Sequence, residues 1–293
     1  MNITRRYGSA PYSVVLVHGG PGAKGSLKPM AEELSLQNGV LEPFQTRYSI
    51  EELIQELHEQ VCRETDGAVT FVGHSWGAWL IILFAVRYPE RVKQLVLVGC
   101  PPFEEKYVPQ IMDNRLKRLS PGERERFERC LRELSGNATD KDMEELGKFV
   151  AQCDNYHVSD FTNEYEPDGQ MYARVWAEAA TLRREGYFMK ILPRLRSEVH
   201  VIHGSLDPHP LDGIIEPLRE AKVNYDLHVL ERCGHSPFLE IEAKEEFYKR
   251  AEEQRRLVCD MQARGCSVIE EKFDENEFYS AVAGYEKEKE GGE

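Results

Sequence analysis

No apolar run in this chain approaches the ~20 residues that a helix needs to cross a bilayer. The N-terminal stretch MNITRRYGSAPYSVVLVHGG has two arginines, but its apolar run is short and leads directly into glycines, so it reads as a strand and not as a signal peptide. Positive charge is also scarce. The 37 Lys and Arg face 51 Asp and Glu, for a net charge of −14. That balance argues against a general nucleic-acid binder, which needs basic surface to neutralise phosphates. Cysteine pairing is missing: the seven cysteines (62, 100, 130, 153, 233, 259, 266) are odd in number, scattered, and form no C-x-x-C. Such usage fits reduced cytosolic thiols better than a disulfide frame. Histidines at H-x-x-x-H or His-x-His spacing are absent, which speaks against a metal site. There is no internal repeat, and the only biased segment is the C-terminal EKEKEGGE. Asn137-Ala138-Thr139 matches a glycosylation sequon, which carries no weight without a secretion signal.

What remains is a chain of 293 residues, 41% hydrophobic, enough for one large domain with an insertion or for two ordinary domains. Tyr12–Val17 is a continuous β-branched run, as expected for a strand buried on both faces. A helix is expected over roughly Ser26–Leu36 and a weaker strand over Val40–Gln45. Ser49-Ile50-Glu51-Glu52 reads as a capping box opening an amphipathic helix to about Glu64. Val69–Val72 and Gln94–Cys100 are further buried strands, with a helix between them. Strands alternating with helices imply a parallel, helix-covered sheet. From about Pro102 to Leu195 only helix signals occur, with capping residues at Ser120 and at Thr139 or Asp140 and a further helix over Gln170–Arg184. Strands return at Val199–Ile202 and Tyr225–Leu230, separated by a helix near Leu211–Ala221, and a last long helix is expected from Pro237 towards Ala263. The expected organisation is an α/β core over 1–102 and 196–255, a helical cap inserted over 103–195, and a C-terminal extension over 256–293. That extension exceeds what the core needs. It docks either on the sheet edge or on a second copy of the chain, which would make a homo-oligomer.

The organising motif is Gly73-His74-Ser75-Trp76-Gly77, set between a strand and a helix. G-x-S-x-G in that context places a serine on a sharp, strained turn above the sheet. Ser75, Asp207 and His235 each fall at the C-terminal end of an expected strand, the edge where ligands collect in open α/β sheets. A serine hydroxyl needs a base to take its proton and an acid to orient that base. Ser75 is therefore the candidate nucleophile, His235 the base and then acid, and Asp207 the orienting carboxylate. The interval from 207 to 235 leaves room for one helix and one strand. A developing oxyanion needs N–H donors already in place. One should come from Trp76 at the start of its helix, the other from the His18-Gly19-Gly20 turn, with Gly20 as the donor and Gly19 beside the substrate.

Together HGGPG (18–22), GHSWG (73–77), HGSLDP (203–208) and CGHSPF (233–238) resemble the α/β-hydrolase superfamily, and most closely its proline iminopeptidase group. The resemblance spans about residues 12–250. It implies an α/β-hydrolase fold, a mostly parallel sheet with helices on both faces and an inserted helical cap. It also implies a serine hydrolase acting through an acyl-enzyme on a small ester, amide or N-terminal peptide bond. Two features depart from the iminopeptidase pattern. The expected Asp-Gln-Arg-Gly segment is replaced by residues 41–48, LEPFQTRY, and only about eleven residues precede the first expected strand. Amine-holding acids of that group would have counterparts among Glu164, Glu166 and Glu178. Carboxylesterases, lactonases and carbon–carbon bond hydrolases share the triad and differ in the cap. A non-catalytic small-ligand-binding protein on the same fold is the alternative from another class. No cofactor is expected. The implied partner is a small-molecule or short-peptide substrate, with no nucleic acid and no membrane, in the cytoplasm.

Several residues have a plainer reading. Asp212 and Asp226 compete with Asp207, and Asp212 reads as a solvated first-turn residue. His18 and His203 read as hydrogen-bonded turn residues, and His74 as a packing residue. Trp76 either lines the pocket or packs beneath the cap. Cys100 and Pro101-Pro102 end a strand at the same edge and are candidate pocket wall. The run Arg115, Lys117, Arg118, Arg124, Arg126, Arg129 and Arg132, interleaved with acids, reads as a solvated helix face.

Overall fold

In the computed structural model, residues 4–134, 139–158 and 166–251 are described. The C-terminal extension expected at 256–293, Cys259, Cys266 and Glu164 lie outside them. The strands are β1 (Thr4–Tyr7), β2 (Tyr12–Val17), β3 (Ala23–Lys24), β4 (Gly39–Pro43), β5 (Val69–His74), β6 (Val92–Val98), β7 (Glu166–Pro167), β8 (Glu198–Gly204) and β9 (Tyr225–Leu230). The helices are α1 (Lys28–Leu34), α2 (Ile50–Glu64), α3 (Trp76–Arg87), α4 (Val108–Lys117), α5 (Pro121–Leu134), α6 (Asp140–Asp154), α7 (Gly169–Arg184), α8 (Tyr187–Ile191) and α9 (Asp212–Glu220). Residues 244–251 are also helical.

Seven strands form one sheet in the order β1-β4-β2-β5-β6-β8-β9. All neighbours pair in parallel except β1 and β4. The parallel strands carry continuous apolar runs because both faces are covered. Alternate side chains enter opposite cores: Val15, Val17, Phe71, Leu95 and Leu97 on one side, Val14, Leu16, Val72, Val96 and Val98 on the other. The first core holds α2 and α3, and the second holds α1 and the helix at 244–251. Helix α3 is buried from Trp76 to Val86, which is why its sequence is apolar all round. Helix α2 instead has an apolar stripe at Ile50, Leu53, Ile54, Leu57 and Val61.

Helices α4 to α8 intervene between β6 and β8. α5 and α6 enclose a third apolar cluster of their own, including Phe127, Leu134, Leu146 and Phe149. The short β3–β7 ribbon joins this insertion to the loop after β2.

Three local expectations need correction. β1 was not foreseen, because four residues containing two arginines carry little apolar signal; it is held by backbone pairing to β4. The last helix does not start at Pro237: residues 237–243 form turns around a bridge from Glu240 to Val158, and helix begins at 244. There the buried Glu240 carboxylate accepts neighbouring backbone N–H groups. The third is the charged run at 115–132, which is not wholly solvated because Arg115 is largely buried against Asp154.

Candidate active site

β5 ends at His74 and α3 begins at Trp76, leaving Ser75 alone to make the turn. Its φ of 54° and ψ of −125° put a non-glycine residue in the left-handed half of the map. Such geometry costs roughly 1–3 kcal/mol and persists only where its surroundings impose it. The surroundings do so here: Ser75 N–H donates to Val98 O at the end of β6 (2.9 Å), and the flanking glycines allow the chain to fold tightly. A Cβ on Gly73 would lie 2.4 Å from Gly77 O, and one on Gly77 would lie 2.1 Å from Val17 O.

The HGG turn leaves β2 beside this elbow. A Cβ on Gly19 would sit 3.0 Å from Ser75 Cβ, so the two backbones approach as closely as they can. Gly20 follows at φ 114°. Gln45 ties both pieces: its Nε2 donates to His18 O (2.9 Å), and its Oε1 accepts from the Trp76 indole N–H (2.9 Å). The Trp76 side chain is fully buried, which matches packing and not an open pocket wall. Its backbone N–H heads α3, where the first N–H groups have no intrahelical acceptor.

Asp207 and His235 are brought together by the paired ends of β8 and β9. Ser205 N–H donates to Leu230 O (2.9 Å), and Leu206 N–H donates to Cys233 O (2.8 Å). His235 Nδ1 then lies 2.8 Å from Asp207 Oδ2, with both side chains buried. Burial pulls the His235 imidazole down, but the Asp207 charge and hydrogen bond outweigh it and leave the group above the ordinary histidine value. Burial likewise disfavours ionised Asp207, yet His235, His209 and His203 hold it well below the usual carboxylate range. The Ser75 hydroxyl is hydrogen-bonded to no described residue; catalytic hydrogen bonds are often long before substrate binds. Asp212 and Asp226 stand away from this cluster, Asp212 in the first turn of α9 and Asp226 beside His200.

A family profile described as the alpha/beta hydrolase family matches residues 14–250. The chain belongs to the alpha/beta hydrolase family. A 2-hydroxy-6-oxo-2,4-heptadienoate hydrolase from Pseudomonas putida is 36% identical over 100 residues, covering 29% of this chain and 36% of that protein. The match therefore spans about a third of the length of this curated relative. Among solved structures, the proline iminopeptidase of Mycobacterium smegmatis superposes with a TM-score of 0.59 at 18% identity, over 89% of this chain and 95% of that one. A thermophilic esterase from Thermogutta terrifontis gives 0.55 at 18% identity, over 87% and 93%. These structural likenesses establish the fold.

The remaining histidines around this α/β-hydrolase centre are packed or bonded. His18 Nδ1 lies 2.9 Å from Gly19 O, and burial lowers it to about 4. His74 Nε2 lies 3.0 Å from His235 O, its edge meets Phe238, and burial lowers it to about 3. His203 Nε2 lies 3.0 Å from His209 O.

Two features escaped sequence reasoning. One is His209, whose Nδ1 lies 2.8 Å from Asp207 Oδ1 and whose ring stacks on His235 at 4.5 Å. The spacing Asp207-Pro208-His209 was visible, but nothing in it said that the side chain turns back. The other is Arg115, taken for part of a solvated face. It is largely buried and grips Asp154 with two hydrogen bonds, Nε–Oδ1 at 2.7 Å and Nη2–Oδ2 at 2.5 Å. Arg118 stays exposed while donating to the Cys153 and Leu206 carbonyls. Asp154 matters because its backbone O accepts from His235 N–H at 2.7 Å.

Asp154, His209 and His235 offer potential metal-ligating atoms within 4.8 Å of one another. The Arg115 guanidinium already takes both Asp154 oxygens and brings a positive charge beside them, so these three do not fit an ion. Among the described residues, no helix is long and apolar enough to cross a membrane, and Cys62, Cys100, Cys130, Cys153 and Cys233 are free thiols.

Proposed function

We propose that the protein is a serine hydrolase that cleaves a small ester through an acyl-enzyme, with Ser75, His235 and Asp207 as its triad. The observations that carry this reading are the buried 2.8 Å Asp207–His235 bond and a serine held at φ 54° on a strand–helix elbow. His235 Nε2 takes the Ser75 proton as Oγ attacks the acyl carbon. The Asp207 carboxylate stabilises the imidazolium, and the N–H groups of Trp76 and Gly20 hold the oxyanion. Collapse breaks the bond to the leaving group, which receives the proton from His235. Water, deprotonated by the same histidine, then frees the acid and restores Ser75. Each oxyanion donor contributes about 2.7–4 kcal/mol to the transition state in such sites.

The helical insertion supports an ester over a free-amine substrate. Glu166 is exposed and pairs with Lys24 at 2.6 Å, Glu178 accepts from Ile50 N–H at 2.8 Å, and Asp154 is neutralised by Arg115. Glu166 and Asp154 are paired with basic side chains, and Glu178 is engaged at the start of α2. Half-buried aromatic rings instead line α7: Tyr172 stacks on Trp176 (6.2 Å), which stacks on Trp79 of α3 (5.9 Å), one turn beyond the elbow. They suit an acyl group with an apolar or aromatic body. A cavity of about 450 Å³ opens at the seam between core and insertion, lined by Gly22, Lys24 and Gln45 on one side and by the acids Asp140, Glu166 and Asp168 on the other, which are engaged by Gly169 N–H, Lys24 and the Tyr48 hydroxyl in turn.

The test is labelling by a fluorophosphonate probe at neutral pH, with Ser75→Ala as the blank. An adduct on Ser75 is expected; folded protein without one refutes the mechanism. Turnover of nitrophenyl esters but not of a prolyl-arylamide is the expected selectivity, and the reverse would restore the aminopeptidase reading. The partial likeness to the heptadienoate hydrolase motivates one further substrate. Faster consumption of 2-hydroxy-6-oxo-2,4-heptadienoate than of any ester would move the assignment to carbon–carbon bond hydrolysis.

A further inference from the structure

The Asp207 carboxylate serves two imidazoles. Oδ2 accepts from His235 Nδ1 at 2.8 Å, while Oδ1 accepts from His209 Nδ1 at 2.8 Å and from His209 backbone N–H at 2.9 Å. An ionised carboxylate is acceptor-only, so both Nδ1 atoms carry protons and both Nε2 atoms present lone pairs. The rings face each other with centroids 4.5 Å apart and planes 27° apart. His209 is 6% exposed and lies between Pro208 and Pro210, whose fixed φ angles limit its backbone. The backbone N–H alone would close the local turn on Asp207. The imidazole adds a second donor to an oxygen that is already satisfied, and it does so inside the base's own contact surface.

We propose that His209 is a positioning residue for His235: it fixes the plane of the Asp207 carboxylate and draws off part of the charge that would otherwise over-stabilise the His235 imidazolium. This role rests on the serine-hydrolase reading above. The other groups facing the cluster do not supply it. His203, at the end of β8, is 3.9 Å from Oδ2 by its Nδ1 and spends Nε2 on the His209 carbonyl. His74, from the elbow, meets the His235 ring at 4.9 Å and bonds its carbonyl. Arg115 and Asp154, from the insertion, satisfy each other, and burial beside Asp207 keeps the Cys100 thiol protonated. Burial also holds His209 down to about 4, so it stays neutral while His235 titrates. Removing its donor leaves the carboxylate more basic, the imidazolium more stable, and the base protonated to higher pH.

The experiment is the rate of fluorophosphonate labelling of Ser75 against pH in the full chain, for wild type, His209→Leu and His209→Asn. The Asn amide can place a donor near the position of Nδ1. In His209→Leu the midpoint of the acid limb should rise by about half a unit or more, so labelling falls about threefold on the acid side of the midpoint and recovers in alkali. His209→Asn should return the midpoint to near the wild-type value. An unshifted midpoint in His209→Leu, or a uniform loss at all pH in both variants, overturns the proposal. If His209→Leu fails to fold, proton NMR of the wild type decides. Two downfield Nδ1–H signals that persist through neutral pH support the role, and a single one refutes it. Wild-type protein that is not labelled at Ser75 refutes the hydrolase reading itself, and this role with it.

Discussion

Replacing Arg115 by methionine should destabilise the protein far more than its place in a charged run suggests. On a solvated helix face, such a change stays within about 0.5 kcal/mol. Here the guanidinium side chain is 17% exposed and its partner Asp154 is 1% exposed, joined by two hydrogen bonds of 2.7 and 2.5 Å. Methionine keeps much of the packing volume and removes only the charge and the donors. The Asp154 carboxylate is then buried with neither counter-charge nor hydrogen bond, which costs about 3–5 kcal/mol. For a protein of this size that corresponds to a melting temperature lower by roughly 6–20 °C. The penalty belongs to the stranded charge, so Arg115→Met combined with Asp154→Leu should recover most of the loss. Urea and thermal unfolding of wild type, both single variants and the double variant give the coupling directly. A single variant within about 0.5 kcal/mol of wild type would refute the reasoning, as would a double variant no more stable than Arg115→Met. Ser75 labelling should fall in the single variant too, because the residue that loses its partner also accepts from His235 N–H.

Ester hydrolysis should lose activity on acidification with a midpoint above ~6.5, the ordinary histidine value. Asp207 holds the His235 conjugate acid above that value, so protons occupy the base as pH falls through it; a midpoint at 6 or lower in a kcat/KM profile would contradict this. Gln45→Ala removes the acceptor of the Trp76 indole and the donor to His18 O, and leaves a buried N–H unsatisfied. A stability loss of about 1–3 kcal/mol is expected, with kcat falling more than KM rises, and an unchanged kcat would show that the oxyanion turn does not depend on it. Glu240→Ala strips acceptors from Gly234, Tyr156 and His157 N–H groups. It should cost about 3 kcal/mol or more and slow Ser75 labelling, while Glu240→Gln should be milder because it keeps one acceptor oxygen; equal loss in both would point to charge and not to these bonds.

The parts of the fold legible in the sequence were those with a dense local signal. β2, β5, β6 and β8 are continuous β-branched or apolar runs, and each pays out two faces to two cores. The capping residues Ser49, Ser120 and Thr139 marked helix starts that the structure shows. Thr139 bonds Asp142 N–H and the Asp142 side chain answers. β1 was illegible because its stability is non-local, coming from a register with β4 some 35 residues on. The turns that carry Ser75, Asp207 and His235 were legible because each follows a strand and sits among glycines or prolines, and two of these side chains meet in the structure. His209 and Arg115 were not, because their partners are set by side-chain direction. A polar residue two positions from Asp207 and a basic residue in a run of charges carry no pattern that distinguishes an inward rotamer from an outward one.

The histidine loop is bonded to the insertion as firmly as to the sheet. His235 N–H donates to Asp154 O, Ser236 N–H to the Asn155 side chain, and Ile241 N–H to His157 O, while the Glu240 carboxylate bridges Gly234 to Tyr156 and His157. Ser75 depends on none of these bonds; its backbone hangs from β6. Ser75 is therefore placed by the sheet, and His235 by the sheet and the insertion together. A sequence change in α4 or α6 can then alter the reach and basicity of His235 without touching Ser75. By the same logic the segment at 154–157 cannot swing away as a lid without breaking several buried hydrogen bonds. The other end of the seam is held by fewer bonds. There the cavity beside Gly22 and Gln45 is crossed by the two-residue β3–β7 pairing and by Tyr48, whose hydroxyl donates to Asp168 at 3.0 Å.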